Sequence, residues 1–312
     1  MVAIEKYHGT GNDFIVVDAG ENILNRRAFA TDLCDRDGGL SHPDSPRTGA
    51  DGVLFLDLHA DEIPPRVEMT LIQPDGSTAA MCGNGARCAA DWAARRAEDR
   101  AARRAEDRAA RRAEDRAARR AASETDETVD EVVVDTPAGL RCADVGEEIT
   151  VEMGAPAFDP EAVPVESDGP LIETEVEGLT VTAVTTGVPH AVAVVEDVES
   201  VDLAAVAPPV RHADAFPEGA NVTLASRRAD GGFDQRTYER GVEGETDACG
   251  TGAVAIVAVA RRLGLVDRGE DVPVHPPGGR LLVTVTDEES TLRGPVSREF
   301  VDEIPAPHTA SD

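Results

Sequence analysis

Two copies of one short pattern constrain this chain more than any other feature of its sequence. Residues 79–90 are AAMCGNGARCAA and residues 246–257 are TDACGTGAVAIV, so a Cys-Gly-x-Gly-Ala motif twice opens an alanine-rich apolar run. A glycine-rich start followed by small apolar residues predicts the beginning of a largely buried helix. The repetition therefore predicts two helices in matching places of two similar halves, each helix starting at a cysteine.

The cysteines of these motifs are the first candidates for chemistry. A thiol at the start of a helix lies where free backbone N–H groups and the helix dipole favour an anion, so we expect the pKa values of Cys82 and Cys249 to fall. The same N–H groups suit a substrate carboxylate, and the glycines permit its close approach. Two matched motifs predict two thiols that face one ligand across a cleft between domains. The alternative is that both are small buried hydrophobic residues.

The remaining apolar segments predict a strand-rich protein. Only the two motif segments are long and strongly helical, which indicates two sheet-rich halves, each wrapped on one main helix. The β-branched runs predict strands at FIVVDA (14–19), VLFLDL (53–58), VEMTLI (67–72), EVVVDT (131–136), ITVEM (149–153), LTVTAVT (179–185), AVAVVE (191–196), NVTLAS (221–226) and LLVTVT (281–286).

An octapeptide repeat, AARRAEDR, occupies residues 93–122 in three full copies and a fragment. Its composition favours a helix that continues the first motif helix, with pairs such as Arg95–Asp99 at i,i+4 spacing. Eight residues advance by about 800° of helix, so each copy is rotated by about 80° and no apolar stripe persists. We expect a solvated inserted helix with no face to bury. The alternative is an electrostatic contact with the acidic body of the chain or with a partner.

Acidity is the most unusual property of the composition. The chain has 60 Asp and Glu against 30 Lys and Arg, a formal net charge of −30. Such a charge repels itself in dilute buffer, whereas the Debye length in molar salt is about 3 Å. We expect a halophilic, cytoplasmic protein, since no secretory signal or apolar span of membrane length is present. The alternative reading of the charge is a basic partner; nucleic acid and membrane partners are disfavoured.

The paired thiols suggest a particular class of reaction. Two opposed acid–base groups of the same type suit removal of a proton from one face of a carbon and its return to the other face, as in racemisation or epimerisation. Most such reactions on amino acids use pyridoxal phosphate bound to a lysine. Lys6 is the only lysine and lies outside any glycine-rich phosphate loop, so we expect a cofactor-free route.

Five segments together resemble the diaminopimelate epimerase family: HGTGNDF (8–14), PDGSTAAMCGNGARC (74–88), GVPHAV (187–192), YERGVEGETDACGTGA (238–253) and HPPGG (275–279). The resemblance implies an α/β (α+β) fold of two pseudo-symmetric domains, each a strand-rich cup or barrel around a central helix, with the active site in the cleft. We expect the domains to span 1–153 and 154–291, with 93–122 inserted in the first and a strand in 292–305 returning to it.

The resemblance also assigns roles to individual residues. It implies that Cys82 donates and Cys249 accepts the proton in the conversion of LL- to meso-diaminopimelate, without cofactor or metal. We also expect a homodimer. Arg240 suits a carboxylate and Glu239 an ammonium group. The other substrate-binding positions implied are Asn12, Gln73, Gly83, Asn84, Asn221, Gly250 and Thr251, with His190 as a supporting or a purely structural residue.

Two positions depart from the family pattern, and three alternatives stay open. Gln73 stands where the family has an asparagine, and Val188 replaces the asparagine of a GNPH motif. Both changes concern recognition of the distal end of the substrate. The nearest alternative is a proline or hydroxyproline racemase of the same fold, and the pair Glu239–Arg240 could be a surface ion pair. A redox or zinc site at the cysteines would need a close Cys82–Cys249 approach or further ligands.

Overall fold

The computed structural model describes residues 1–114 and 128–305. Strands dominate it, and helices are few. The first half of the chain contains β1 (Val2–Gly9), β2 (Asn12–Asp18), α1 (Arg26–Cys34), β3 (Gly52–His59), β4 (Arg66–Ile72), β5 (Thr78–Ala79), α2 (Gly83–Glu114), β6 (Glu131–Thr136), β7 (Gly139–Asp144) and β8 (Ile149–Glu152). This mixed, strand-rich architecture confirms the predicted fold class.

The second half repeats the plan of strands around one long helix. It contains β9 (Thr174–Val176), β10 (Leu179–Thr185), β11 (Pro189–Val195), a 3₁₀ turn (Val198–Ser200), α3 (Leu203–Arg211), β12 (Asn221–Arg227), β13 (Phe233–Glu239), β14 (Gly244–Thr246), α4 (Gly250–Arg262), β15 (Asp271–His275), β16 (Leu281–Val285), β17 (Ser290–Gly294) and β18 (Ser297–Ile304). Among the described helices, none is long and apolar enough to cross a membrane.

The two motif helices form the centre of the core. Helix α2 packs against β1, β3, β4, β6 and β8, whereas α4 packs against β10, β11, β12, β13, β16 and β17. Residues 250–260 of α4 are buried on every side. Small alanines and glycines make this possible, because they let the surrounding strands approach the helix backbone closely. The surrounding strands thus place the beginnings of α2 and α4 inside the protein.

Long-range strand pairing joins the halves. Strand β17 pairs antiparallel with β8, with Leu292 opposite Val151. The last strand, β18, pairs antiparallel with β1, with Ile304 opposite Val2. The end of the described chain therefore lies on the sheet that its beginning forms.

The octapeptide repeat corrects one expectation. Helix α2 does run through the repeat as far as Glu114, and the remainder, 115–122, lies outside the described residues. However, the first copy is not a solvated extension, because Ala93, Ala94 and Ala97 are buried in the core. The prediction that the repeat has no face to bury was wrong for this copy. The rotation between copies does not affect a single copy, which packs with the alanines of one helical turn.

Charged side chains of the repeat also bind the acidic body. Arg96 Nη2 lies 2.9 Å from Glu5 Oε1, and Arg104 Nη1 lies 2.6 Å from Asp61 Oδ1. Arg95 pairs with Asp91 instead of the expected Asp99. The contact with the protein's own acidic surface, one of the two alternatives, is therefore present in the described part of the repeat.

Candidate active site

A cavity of about 520 Å³ lies where α2 and α4 begin. Its wall brings together most of the site residues predicted from the sequence, although they are scattered over the chain. These are Asn12, Gln73, Cys82, Gly83, Asn221, Glu239, Arg240, Cys249, Gly250 and Thr251. The other two predicted residues, Asn84 and His190, lie behind the wall.

The glycines that follow the two cysteines explain the paired motif. A Cβ on Gly83 would lie 2.6 Å from Leu292 Cδ2, and a Cβ on Gly250 would lie 2.8 Å from the same atom. Contacts this short do not occur for real Cβ atoms, so a side chain at either position would displace Leu292 of β17. Both helix N-termini therefore press against one carbon, and the two thiols that precede them are held in one cavity.

Cys82 immediately precedes α2 and has a polar environment on one side. The backbone N–H of Gly85 donates to Cys82 Sγ at 3.4 Å, and Asn12 Oδ1 lies 3.9 Å from the sulfur. The expected N–H contact is therefore formed. Nevertheless, burial raises the pKa of Cys82 to about 12, and the N–H groups only partly offset this effect.

Cys249 is more deeply buried and is connected to His190. Its Sγ lies 3.4 Å from Thr251 Oγ1, and Thr251 Oγ1 lies 3.0 Å from His190 Nε2. Burial, followed by the charge of Glu239, raises the pKa of Cys249 well above its ordinary value. The expected fall of both thiol pKa values was wrong for the ligand-free protein, because desolvation outweighs the helix N-terminus.

His190 is a neutral member of a buried hydrogen-bond chain. Burial lowers its pKa to about 3, and it is fully shielded from solvent. Asn221 Nδ2 lies 3.3 Å from His190 Nε2 and is a donor, so His190 Nε2 accepts this hydrogen bond. The ring proton of His190 is therefore on Nδ1, which donates to Thr223 Oγ1 at 3.1 Å. His190 lines no part of the cavity but reaches Cys249 through the hydroxyl of Thr251.

Glu239 and Arg240 are neighbours in sequence with different partners. Glu239 accepts a hydrogen bond from Thr246 Oγ1, and burial raises the pKa of its carboxyl to about 7. Arg240 instead donates its backbone N–H to Asn221 Oδ1 at 2.7 Å and its Nη1 to the carbonyl of Glu218 at 3.0 Å. Within the described residues the two do not form the surface ion pair that was the alternative interpretation.

A buried polar network behind Cys82 contains residues that sequence reasoning missed. Asn12 Nδ2 donates to Asp51 Oδ2 at 2.6 Å, which turns Asn12 Oδ1 toward the sulfur. Arg87 Nη2 donates to Asn84 Oδ1 at 2.6 Å, and both residues are fully buried. The side chain of Asn84 therefore faces the protein interior and joins this network.

The departures from the family pattern meet on another wall of the cavity. Gln73 accepts a hydrogen bond from Ser77 Oγ at 3.1 Å, and a Cβ on Gly241 would lie 3.0 Å from the Gln73 amide. Val188 lines the same cavity. The longer glutamine side chain is thus accommodated because residue 241 is a glycine with a left-handed φ of 91°.

The cysteines do not form a redox or zinc site in this structure. All five cysteines are free. In the described ranges, the side chains whose ligand atoms converge closely enough for a metal ion are Asp57, His59 and Glu68, and this group contains no cysteine. Neither the redox nor the zinc alternative at Cys82 and Cys249 is supported by these contacts.

Comparison with known proteins identifies the family. A family model described as diaminopimelate epimerase matches residues 4–106 and 182–299. The diaminopimelate epimerase of Methanocella arvoryzae is 36% identical over 97% of this chain and 96% of its own. That of Methanothrix thermoacetophila is 39% identical, over 93% of this chain and 91% of its own.

A solved structure extends the comparison to the fold. A probable proline racemase from Agrobacterium radiobacter aligns over 99% of this chain and 94% of its own with a TM-score of 0.60 and 16% identity, which shows a shared fold alone. The family match, in contrast, covers the starts of both motif helices and separates this chain from racemases of the same fold. This protein belongs to the diaminopimelate epimerase family.

Proposed function

We propose that this protein is an isomerase that interconverts LL- and meso-2,6-diaminopimelate, a step of lysine biosynthesis. One observation carries the proposal: two thiols, each at the start of a central helix, line one cavity within a chain of this family. Two acid–base groups of equal type suit inversion at a carbon that carries a single exchangeable proton.

The geometry supports a two-base reaction. In the LL-to-meso direction, the thiolate of Cys249 removes the proton from the α-carbon, and the thiol of Cys82 delivers a proton to the opposite face. In the reverse direction the roles exchange. The first N–H groups of α2 and α4, including those at Gly83, Gly250 and Thr251, bind the α-carboxylate and stabilise the charge that develops on it.

Activation of the thiols follows from the charge of the substrate. In the free enzyme both thiols are neutral, since burial and the carboxylate of Glu239 raise their pKa values. An α-ammonium group bound to Glu239 compensates this negative charge beside the sulfurs. Substrate binding therefore lowers the pKa of the thiols when the thiolate is needed.

The supporting residues act through neighbours. The hydroxyl of Thr251 lies between the neutral His190, to whose Nε2 it donates, and Cys249, so it turns to donate to the sulfur when the thiolate forms. Asn221 fixes the backbone of Arg240, whose guanidinium binds a carboxylate, and Asn12 contacts the substrate beside Cys82. Gln73 binds the distal end, and Asn84 acts through its backbone and through its contact with Asn12.

The remaining properties follow from the same proposal. We assign the domains to 1–153, with the insertion at 93–122 and the returning strand in 292–305, and to 154–291. The enzyme acts on an amino acid in the cytoplasm without cofactor or metal, as a homodimer, and without nucleic-acid or membrane partners.

Exchange of the substrate α-proton tests the function directly. The purified protein is incubated with LL-diaminopimelate in D₂O and molar salt, without pyridoxal phosphate and with a chelator present. We expect deuterium at the α-carbon of both isomers, which mass spectrometry detects, and formation of the meso isomer, which chiral chromatography detects. Absence of exchange, or a requirement for added pyridoxal phosphate or metal, contradicts the proposal.

A further inference from the structure

The cavity contains a second guanidinium to which no role has been assigned. Arg211 ends α3, lines the cavity and has only 11% of its side chain exposed. Gly219 makes room for it, because a Cβ at that position would lie 1.6 Å from Arg211 Nη1. No side chain could replace this glycine without expelling the arginine, so the backbone is shaped around the guanidinium.

Arg211 and Arg240 converge on the same backbone segment. Arg240 Nη1 donates to the carbonyls of Glu218 and Gly219, and Arg211 Nη1 lies against the Cα of Gly219. The two positive charges are close enough that Arg211 lowers the pKa of Arg240, after the larger effect of burial. Two like charges held together in a cavity stabilise a bound anion.

The hydrogen-bonding groups of this arginine pair are only partly used among the described residues. Arg211 Nη2 forms an ion pair with Glu243 Oε1 at 2.8 Å, but its buried Nε has no hydrogen-bond partner among the described residues. The guanidinium of Arg240 donates to neutral carbonyls. A buried guanidinium N–H without an acceptor is costly, and a carboxylate is the group that suits it best.

We propose that Arg211 is a specificity-determining residue that, beside Arg240, binds the carboxylate at the non-reacting end of the substrate. This inference rests on the proposed function, since only a substrate with a second carboxylate needs such a site. The same cavity is lined by Gln73 and Val188, where the family pattern has asparagines. Arg211 supplies from α3 the polar contact that Val188 lacks.

The test compares Arg211→Gln with Glu243→Gln. Both substitutions break the same ion pair, so a purely structural pair gives equal effects. If Arg211 binds the substrate, R211Q raises KM for LL-diaminopimelate about 10- to 100-fold with kcat changed by less than about threefold, as for a lost charge-assisted hydrogen bond. E243Q leaves KM unchanged or lowers it, because the guanidinium loses a competing partner. Arg211→Lys, which keeps the charge without the fork, gives an intermediate KM.

Two competitive inhibitors locate the contact on the ligand. L-2-aminopimelate has both carboxylates, whereas L-lysine lacks the distal one. R211Q should raise the inhibition constant of aminopimelate by the same factor as KM and leave that of lysine unchanged. The proposal is overturned if R211Q weakens the binding of both inhibitors equally or changes the binding of neither. It is also overturned if R211Q and E243Q change KM in parallel. A wild-type protein inactive on diaminopimelate instead refutes the proposed function, so the two failures are distinguishable.

Discussion

Replacement of Glu239 by glutamine should stabilise the protein at neutral and alkaline pH while it abolishes efficient turnover. The carboxyl of Glu239 faces the cavity, accepts a hydrogen bond from Thr246 and has a pKa raised from 4.5 to about 7, chiefly by burial. Glutamine keeps the volume and the acceptor oxygen, but it carries no charge. The enzyme therefore keeps an ionisable group at the cavity wall at a cost in stability.

The pKa rise sets the magnitude and its sign. A pKa raised from 4.5 to about 7 corresponds to at most about 3.4 kcal/mol of free energy that favours the protonated form. This is an upper limit, because the side chain keeps some contact with solvent in the cavity. Between these two pH values the unfolded chain ionises Glu239 while the folded protein does not. This residue therefore lowers the stability of the wild type by up to about 1.4 kcal/mol per pH unit from pH 4.5 to 7, and by a constant amount above pH 7.

Thermal or urea unfolding of the wild type and of Glu239→Gln from pH 5 to 8.5, in constant molar salt, measures this difference. We expect near-equal stability at pH 5 and an advantage of the variant that grows to about 2–3 kcal/mol at pH 8. In the same series, kcat/KM of the wild type should fall below pH 7 as Glu239 is protonated, and the variant should lose about 100-fold or more without that pH dependence. Parallel stability curves for the two proteins would refute the reasoning.

Three further predictions concern the thiols, the repeat and the charge. Cys82→Ser and Cys249→Ser should each abolish net epimerisation, since a hydroxyl is too weakly acidic to exchange roles, while retained epimerase activity in either variant would contradict the two-base assignment. Deletion of 101–116 should leave turnover within a few-fold, because residues 117–120 have the same sequence, AARR, as the residues 101–104 that they replace. Deletion of 93–116 should instead lower the melting temperature. It removes Glu98, whose Oε1 accepts a hydrogen bond from the backbone N–H of Val129 at 3.0 Å. Equal melting temperatures of the two deletions would contradict this. Dialysis below about 0.5 M salt should unfold the protein, measured by circular dichroism, and full activity in dilute buffer would show that the charge of −30 needs no screening.

The features predicted best from the sequence are those determined by residues close together along the chain. The starts of α2 and α4 follow from glycine and alanine patterns within a dozen residues, and the strong apolar runs became strands such as β3, β12 and β16. Strands β1 and β13 escaped prediction because VAIEKYHG and FDQRTYE interrupt the apolar alternation with charged residues. In β1 these charges are buried and paired, as Lys6 Nζ lies 2.5 Å from Asp13 Oδ2, and such partners are invisible in a linear pattern.

Site residues outside short motifs were harder to find for the same reason. Asp51 and Arg211 belong to no recognisable motif and became visible only through their contacts with Asn12 and the cavity. One signal was present for Arg211: an arginine at the end of an apolar helix, eight residues before a glycine. That spacing has no meaning until the chain folds back and places Gly219 against the guanidinium.

The direction of the thiol pKa values shows what local reasoning leaves out. The N–H groups at the start of α2 do point at Cys82, as the motif predicts, yet they only partly offset the effect of burial. Burial follows from how two halves of the chain close around one cavity, so no local pattern reports it. The same enclosure makes the charge of a ligand effective, because a low-dielectric site strengthens every interaction with the sulfurs.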